Sequence, residues 1–300
     1  MLRFFRKNQK KPDKESRDQV SSRRIQSPLI RDNRKTIIMN QKENDETIDF
    51  EKPYAACGLH IGTRQYQQDA IYLSEARKHF IYGILCDGMG GMEQGDRVSN
   101  EVVTYIASRM ETIKEDTNIP SFYEKELSNI NQLVRKENEI RMANAGTTFT
   151  SVVILHNSLY WAAVGDSRIY LIREDEIVQI TRDHNYAMRL KEQVIKGEIT
   201  EEEAMQDPQR EALISYIGAP VLEVVDISQG PFLMNPGDFV LLCSDGLTKS
   251  LTDEKILALV RDYVDDPKEA VHQLIHTAFD TGDGSKDNTS VILIRYPYLV

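Results

Sequence analysis

Phe80-Ile-Tyr-Gly-Ile-Leu-Cys-Asp87-Gly88-Met89-Gly90-Gly91 is an apolar run that stops in an acidic, glycine-rich turn. The apolar residues predict a buried strand, which places the Asp87 carboxylate at a strand end. The glycines let the backbone approach whatever that carboxylate binds. Taken alone, Asp-Gly after a strand is a turn signal. A second copy changes the weight of the first: Phe239-Val-Leu-Leu-Cys-Ser-Asp245-Gly246-Leu247 is again an apolar run ending in Asp-Gly. A third acidic end, Asp287-Asn288, stands just before the run Thr289 to Ile294. Strand ends bearing carboxylates can converge on hard divalent cations, which prefer oxygen ligands.

The chain has 300 residues, 40% hydrophobic and 28% charged, which suits a soluble globular enzyme of one large domain or two small ones. No apolar stretch approaches the ~20 residues a membrane span needs. The basic opening Met1-Leu-Arg-Phe-Phe-Arg-Lys lacks the apolar region of a secretory signal. Cys57, Cys86 and Cys243 lie far apart, two of them inside apolar runs, and read as buried thiols in a reducing compartment. Residues 1–40 carry 12 basic and 4 acidic side chains; the rest carries 25 and 43, or a net −18. So acidic a body repels phosphate backbones, and no nucleic-acid partner is expected. It suits a site that gathers metal ions.

Residues 1–50 have almost no apolar periodicity and are expected to form a basic, disordered tail. A solvated linker is the favoured reading; Leu2, Phe4 and Phe5 among basic residues would at most add a weak contact with an anionic membrane. Folded structure is expected from about Tyr54. Val98, Val102, Ile106, Met110 and Ile113 recur at helical spacing, and Pro120 opens a second helix. From Thr147 to Ile180 the period changes to two, predicting antiparallel strands. Residues 182–217 are polar and weakly helical, as in a surface flap. Strands are expected at 224–230 and 239–244, two short helices near 252–264 and 267–280, and a last strand from Ser290 to Tyr296. Strands interrupted by paired helices argue an α+β fold, with sheets packed together and helices outside.

Asp69, Asp87, Asp166, Asp245 and Asp287 all stand at strand ends or tight turns. Two ions sharing Asp87 would hold a water between them and lower its pKa, which suits in-line attack on a phosphate ester. Arg64, five residues before Asp69, is the candidate grip on phosphate oxygens. Rival motifs fail. A cysteine phosphatase needs Cys-x5-Arg, and Cys57 is seven residues from Arg64. His272-Gln-Leu-Ile-His276 lacks the glutamate base of a zinc protease helix. Asp280 to Val291 lacks the closing glutamate of a calcium loop.

In order, Gly62-Thr-Arg64-Gln-Tyr-Gln67-Gln68-Asp69, Asp87-Gly-Met-Gly-Gly91, Gly146-Thr-Thr148, Val164-Gly-Asp166-Ser-Arg168, Thr181-Arg-Asp-His184, Pro236 to Leu247 and Lys286-Asp287-Asn288-Thr289 resemble the metal-dependent serine/threonine protein phosphatases of the PPM family, type 2C, in their compact bacterial form. The resemblance covers about residues 54–297. It implies a phosphatase domain over 51–300: two antiparallel sheets packed as a sandwich, with paired helices on both outer faces. It implies that Asp87 bridges two Mn²⁺ or Mg²⁺ ions, that the Gly88 carbonyl ligates one, and that Asp245 and Asp287 complete the other. Asp166 would help bind a third, weaker ion. Asp69 would orient the attacking water, Arg64 would hold the phosphate, and the flap at 182–217 would meet the substrate.

The implied substrates are phosphoserine and phosphothreonine in proteins, with a cognate serine/threonine kinase as counterpart. A cytoplasmic monomer is expected. Two departures stand out. Gln67 replaces an asparagine, which would loosen packing behind Asp69. Met89 stands where animal members have a histidine, so the general acid is unassigned. The alternatives are a regulatory phosphatase dedicated to one phosphoprotein partner, and a non-catalytic binding protein on the same fold.

Overall fold

The computed structural model describes residues 37–39, 45–49, 54–90, 94–281, 284 and 286–296. Its first half runs β1 (Ile37–Met39), β2 (Asp45–Asp49), β3 (Ala55–His60), β4 (Asp69–Arg77), β5 (Phe80–Met89), α1 (Gln94–Met110) and α2 (Ile119–Arg141). Then come β6 (Gly146–Thr147), β7 (Phe149–Leu155), β8 (Ser158–Val164), β9 (Arg168–Arg173), β10 (Glu176–Gln179), α3 (Tyr186–Lys196) and α4 (Glu201–Gln206). The chain closes with β11 (Asp226–Ile227), β12 (Phe232–Leu233), β13 (Phe239–Cys243), α5 (Asp245–Thr248), α6 (Asp253–Asp262), α7 (Pro267–Asp280) and β14 (Thr289–Arg295). Among the described residues no helix is long and apolar enough to cross a membrane.

Two antiparallel sheets result. The first has the order β1-β4-β5-β7-β8-β11, with β12 also on β8 and β6 on β5; the second has β10-β9-β13-β14-β3-β2. Strand parity explains why the apolar runs are continuous. In β5, Phe80, Tyr82, Ile84 and Cys86 face α1 and α2, while Ile81 and Leu85 face the other sheet. In β13, Phe239, Leu241 and Cys243 face α6 and α7, while Val240 and Leu242 face inward. Each sheet is covered on both faces, so neither face of its central strands can be polar. Three apolar layers lie between four structural ones, and each fully buried aliphatic side chain contributes about 1.5–3 kcal/mol.

The helices form where their caps and stripes predict. Val98, Val102, Ile106 and Met110 form the buried stripe of α1. Asn118 caps α2 by accepting from the Ser121 N–H, with Pro120 in the first turn. Thr252 and Asp266 cap α6 and α7 in the same way.

Two expectations shift. Folded structure does not begin at Tyr54: β1 pairs with β4 and β2 with β3, so 37–39 and 45–49 belong to the sheets. Ladder hydrogen bonds with an exposed sheet edge recruit even a short segment, which composition does not reveal. Residues 1–36, which hold the membrane-contact candidates, lie outside the described residues. The strand expected at 224–230 shrinks to the two-residue β11, and a second two-residue piece, β12, follows beyond it; the two lie against successive parts of β8.

Candidate active site

At one edge of the sandwich the inter-sheet layer turns from apolar to polar. Ile71 of β4, Leu85 of β5 and Ile292 of β14 point into that layer. Two residues further towards the edge, on the same faces, stand Asp69, Asp87 and Ser290. Two of the chain's passages between the sheets at this edge carry site residues. The β3–β4 crossing, residues 61–68, carries Arg64, and the β8–β9 crossing, residues 165–167, carries Asp166. Asp245 opens α5 with only Ser244 between it and β13, and Asp287 stands two residues before β14. The topology thus delivers every expected site residue to one place.

Asp87 is held by its backbone. Its N–H donates to Thr148 Oγ1 at 2.9 Å, and its carbonyl accepts from the Thr148 N–H and from Thr147 Oγ1, each at 2.8 Å. Thr148 Oγ1 lies 2.8 Å from Ser167 Oγ, next to Asp166. One threonine hydroxyl therefore ties the Asp87 strand end to the Asp166 turn. The turn is clamped again at Gly165, whose N–H donates to His184 Nδ1 at 3.1 Å and whose carbonyl accepts from the His184 N–H at 2.9 Å. Gly165 has φ +106°, and a Cβ there would meet Thr148 Cγ2 at 2.7 Å, so only glycine fits. Arg168 grips Asp183 through Nε and Nη2, at 2.9 and 2.7 Å.

Gly88 is a close approach. A Cβ there would meet the Gly95 carbonyl at 2.3 Å and the Gln68 carbonyl at 2.6 Å. Asp69 lies opposite Asp87 in the β4–β5 ladder and is fully buried. Ser290 Oγ donates to its Oδ2 at 2.7 Å, while Oδ1 is buried with no hydrogen-bond partner. Gln67 does not loosen this region: it is buried, and its Oε1 accepts from the Asp69 N–H at 3.0 Å.

On the other sheet, Asn288 staples the Arg64 loop. Its Oδ1 accepts from the Gln68 N–H at 2.8 Å, and its Nδ2 donates to the carbonyls of Ile61 and Tyr66. Arg64 Nη2 pairs with Asp287 Oδ2 at 2.9 Å. Lys249 Nζ donates to Asp245 Oδ2 and lies 3.8 Å from Asp287 Oδ2. Asp245 Oδ1 is buried and has no hydrogen-bond partner.

A cavity of about 550 Å³ opens here, lined by Arg64, Asp87, Gly88, Asp166, Asp245 and Asp287 among others. Glu211, Leu213 and Tyr216, from the end of the expected flap, form part of its wall. The flap itself holds α3 and α4, and its base closes through the Asn185–Leu213 bridge. Met89 lines the cavity, while His272 and His276 sit on α7, away from it.

The electrostatics are those of crowded acids. Burial pushes Asp87 well above the ordinary carboxylate range, and Asp69, Asp245, Asp166 and Asp287 push it further. Burial likewise moves Asp166 up to about 7, with Asp245 adding and Lys249 opposing. Among the described residues no three acidic, histidine or cysteine side chains are already gathered on one point. Lys249 and Arg64 engage the carboxylates instead. The donor set nonetheless fits a hard divalent cation. It is all oxygen, its charges repel one another, and Asp245 offers a buried oxygen with nothing else to bind.

Six of the seven expected residues line the cavity; Asp69 is buried and is not among them. Thr148, Ser167, Ser290 and Lys249 are structural members of the site; Thr148 and Ser167 stand in motifs of the sequence without an assigned role there, and Ser290 and Lys249 were not singled out. For Lys249 a signal existed, since it stands four residues after Asp245 in a helical turn.

The sequence profile of the protein phosphatase 2C family matches residues 58–276. Protein phosphatase PhpP of Streptococcus pneumoniae is 32% identical over 241 residues, covering 77% of this chain and 92% of that protein. The crystal structure of the Mycobacterium tuberculosis serine/threonine phosphatase PstP/Ppp superposes with a TM-score of 0.68 at 28% identity, over 81% of this chain and 98% of that one. A structure of the catalytic domain of PstP in complex with 2 manganese ions superposes with a TM-score of 0.64 at 27% identity, over 80% of this chain and 96% of that one. Family profile, relatives and sandwich agree with the acidic cavity at the sheet edge: the chain belongs to the protein phosphatase 2C family and is a serine/threonine protein phosphatase.

Proposed function

We propose that this phosphatase hydrolyses phosphoserine and phosphothreonine in proteins at a binuclear Mn²⁺ or Mg²⁺ centre, opposing a cognate kinase. One observation carries the reading: Asp87, Asp166, Asp245 and Asp287 line a single cavity with Gly88 and Arg64. Asp87 and the Gly88 carbonyl would hold one ion, and Asp87, Asp245 and Asp287 the other. Asp166 would serve a weaker third. When bound, the ions supply positive charge for the phosphate and acidify a water for attack. The rest falls to the protein. Arg64, more than half exposed on its loop, swings from Asp287 to the phosphate oxygens and holds them in line. Asp69 Oδ1, buried and unpartnered, accepts the hydrogen bond that orients the attacking water. Glu211, Leu213 and Tyr216 meet the protein part of the substrate.

Hydrolysis of a phosphoserine peptide by the full chain tests this directly. Turnover should vanish with chelator and return with Mn²⁺. Turnover that persists in chelator would remove the metal centre from the reading.

A further inference from the structure

Among the described residues Lys249 is the one lysine whose ammonium reaches into the carboxylate cluster. Its backbone N–H donates to the Asp245 carbonyl at 2.8 Å, which closes the short helix α5 and fixes the lysine beside that aspartate. Its Nζ then takes Asp245 Oδ2 and approaches Asp287 Oδ2. The second oxygen of Asp245, Oδ1, is left buried and unpartnered. One carboxylate is thus split between two tasks: Oδ2 binds an internal cation, and Oδ1 remains for an external one.

We propose that Lys249 is a positioning counter-cation of the metal centre, which presents Asp245 through Oδ1 and sets the affinity for the divalent ion low. The inference rests on the metal-centre reading above. A fixed unit charge beside a ligand repels an incoming divalent ion. Lys249 is half exposed, so water screens the repulsion, and a separation of several ångströms corresponds to roughly tenfold in Kd. The same ammonium relieves repulsion among the acids when chelator is present. The enzyme would then fill its site in response to metal supply rather than retain ions permanently.

Calorimetric titration of the full chain with Mn²⁺, together with thermal melts in chelator, tests this in the wild type and in Lys249→Met, Lys249→Gln and Lys249→Arg. Lys249→Met should bind Mn²⁺ roughly tenfold more tightly at one site and melt at a lower temperature in chelator. Lys249→Gln, which keeps a hydrogen-bond donor without the charge, should follow Lys249→Met. Lys249→Arg should match the wild type. An unchanged or weakened Mn²⁺ affinity in Lys249→Met, or Lys249→Gln behaving as wild type, would overturn the inference while leaving the metal centre standing. A wild type that binds no Mn²⁺ would overturn both.

Discussion

Asp69 and Asp87 face each other as a direct cross-strand pair at the end of the β4–β5 ladder, both on the face that looks into the sandwich. Like charges opposite one another destabilise a sheet. Burial, more than any neighbour, pushes Asp69 up to about 7; hydrogen bonds from Ser290 and Ser244 pull it down, and Asp245 and Asp287 push it up again. A folded-state pKa above the unfolded one means that the folded protein holds the proton more tightly. The associated stability is present at low pH and is lost as pH rises through about 7. In chelator the melting temperature should therefore fall between about pH 4 and pH 7 and level off above, by a linkage of at most about 4 kcal/mol for Asp69. Asp69→Asn should flatten that slope. With Mn²⁺ the slope should reverse, because the ligands must be deprotonated to bind. A pH-independent melt in chelator would remove the repulsive pair from the account.

Arg64 and Asp245 should separate in kinetics. Arg64→Ala removes one charge-assisted contact, worth about 1.5–3 kcal/mol, so kcat/KM for a small phosphate ester should fall roughly tenfold to a hundredfold. KM should rise, and kcat should fall as well if the grip tightens in the transition state. Asp245→Asn should abolish turnover with little change in fold. If Arg64→Ala leaves both constants untouched, the guanidinium is only a partner of Asp287.

Thr148 is the hydroxyl that joins the Asp87 strand end to Ser167. Thr148→Val keeps the shape and removes both contacts, leaving a buried N–H unpaired. A loss of about 1–3 kcal/mol in denaturant unfolding is expected. Turnover should fall as well, and Thr148→Ser should restore most of both. Equal stability of the valine and wild-type proteins would show that the bridge carries no weight.

The cysteines should be spectators. Burial pushes the thiols of Cys57 and Cys243 up to about 12, and moves Cys86 well above its ordinary value. Alkylation of the native protein should be slow, and a variant lacking all three thiols should keep its chemical step. No phosphoenzyme should survive an acid quench. A trapped phosphocysteine would reopen covalent catalysis.

Much of this site was legible because its acids terminate strongly apolar strands. The runs before Asp87 and Asp245 announce buried strands by composition alone, and the turn that follows announces itself through glycine. The work of the supporting hydroxyls was not legible, although Thr148 and Ser167 stand inside motifs. Thr148, Ser167 and Ser290 are ordinary polar residues in sequence; they matter because 61, 19 and 221 residues of chain separate partners that the sheets bring together. The short pieces β11 and β12 escaped for a related reason, since two residues carry no periodicity and owe their pairing to β8. Asn288 was visible as part of a motif, but its work as a staple for the Arg64 loop exists only once that loop crosses between the sheets.

That crossing has a wider consequence. Asp69 and Asp87 belong to one sheet, Asp245 and Asp287 flank strands of the other, and Arg64 and Asp166 ride on two of the passages between them. Neither sheet with its own helices contains half a reaction. An ion ligated from both sides would act as a rivet through the seam. Catalysis therefore doubles as a gauge of how tightly the two halves are shut: a change that parts them slightly at this edge would silence the enzyme while each half kept its helices, its strands and its own apolar layer.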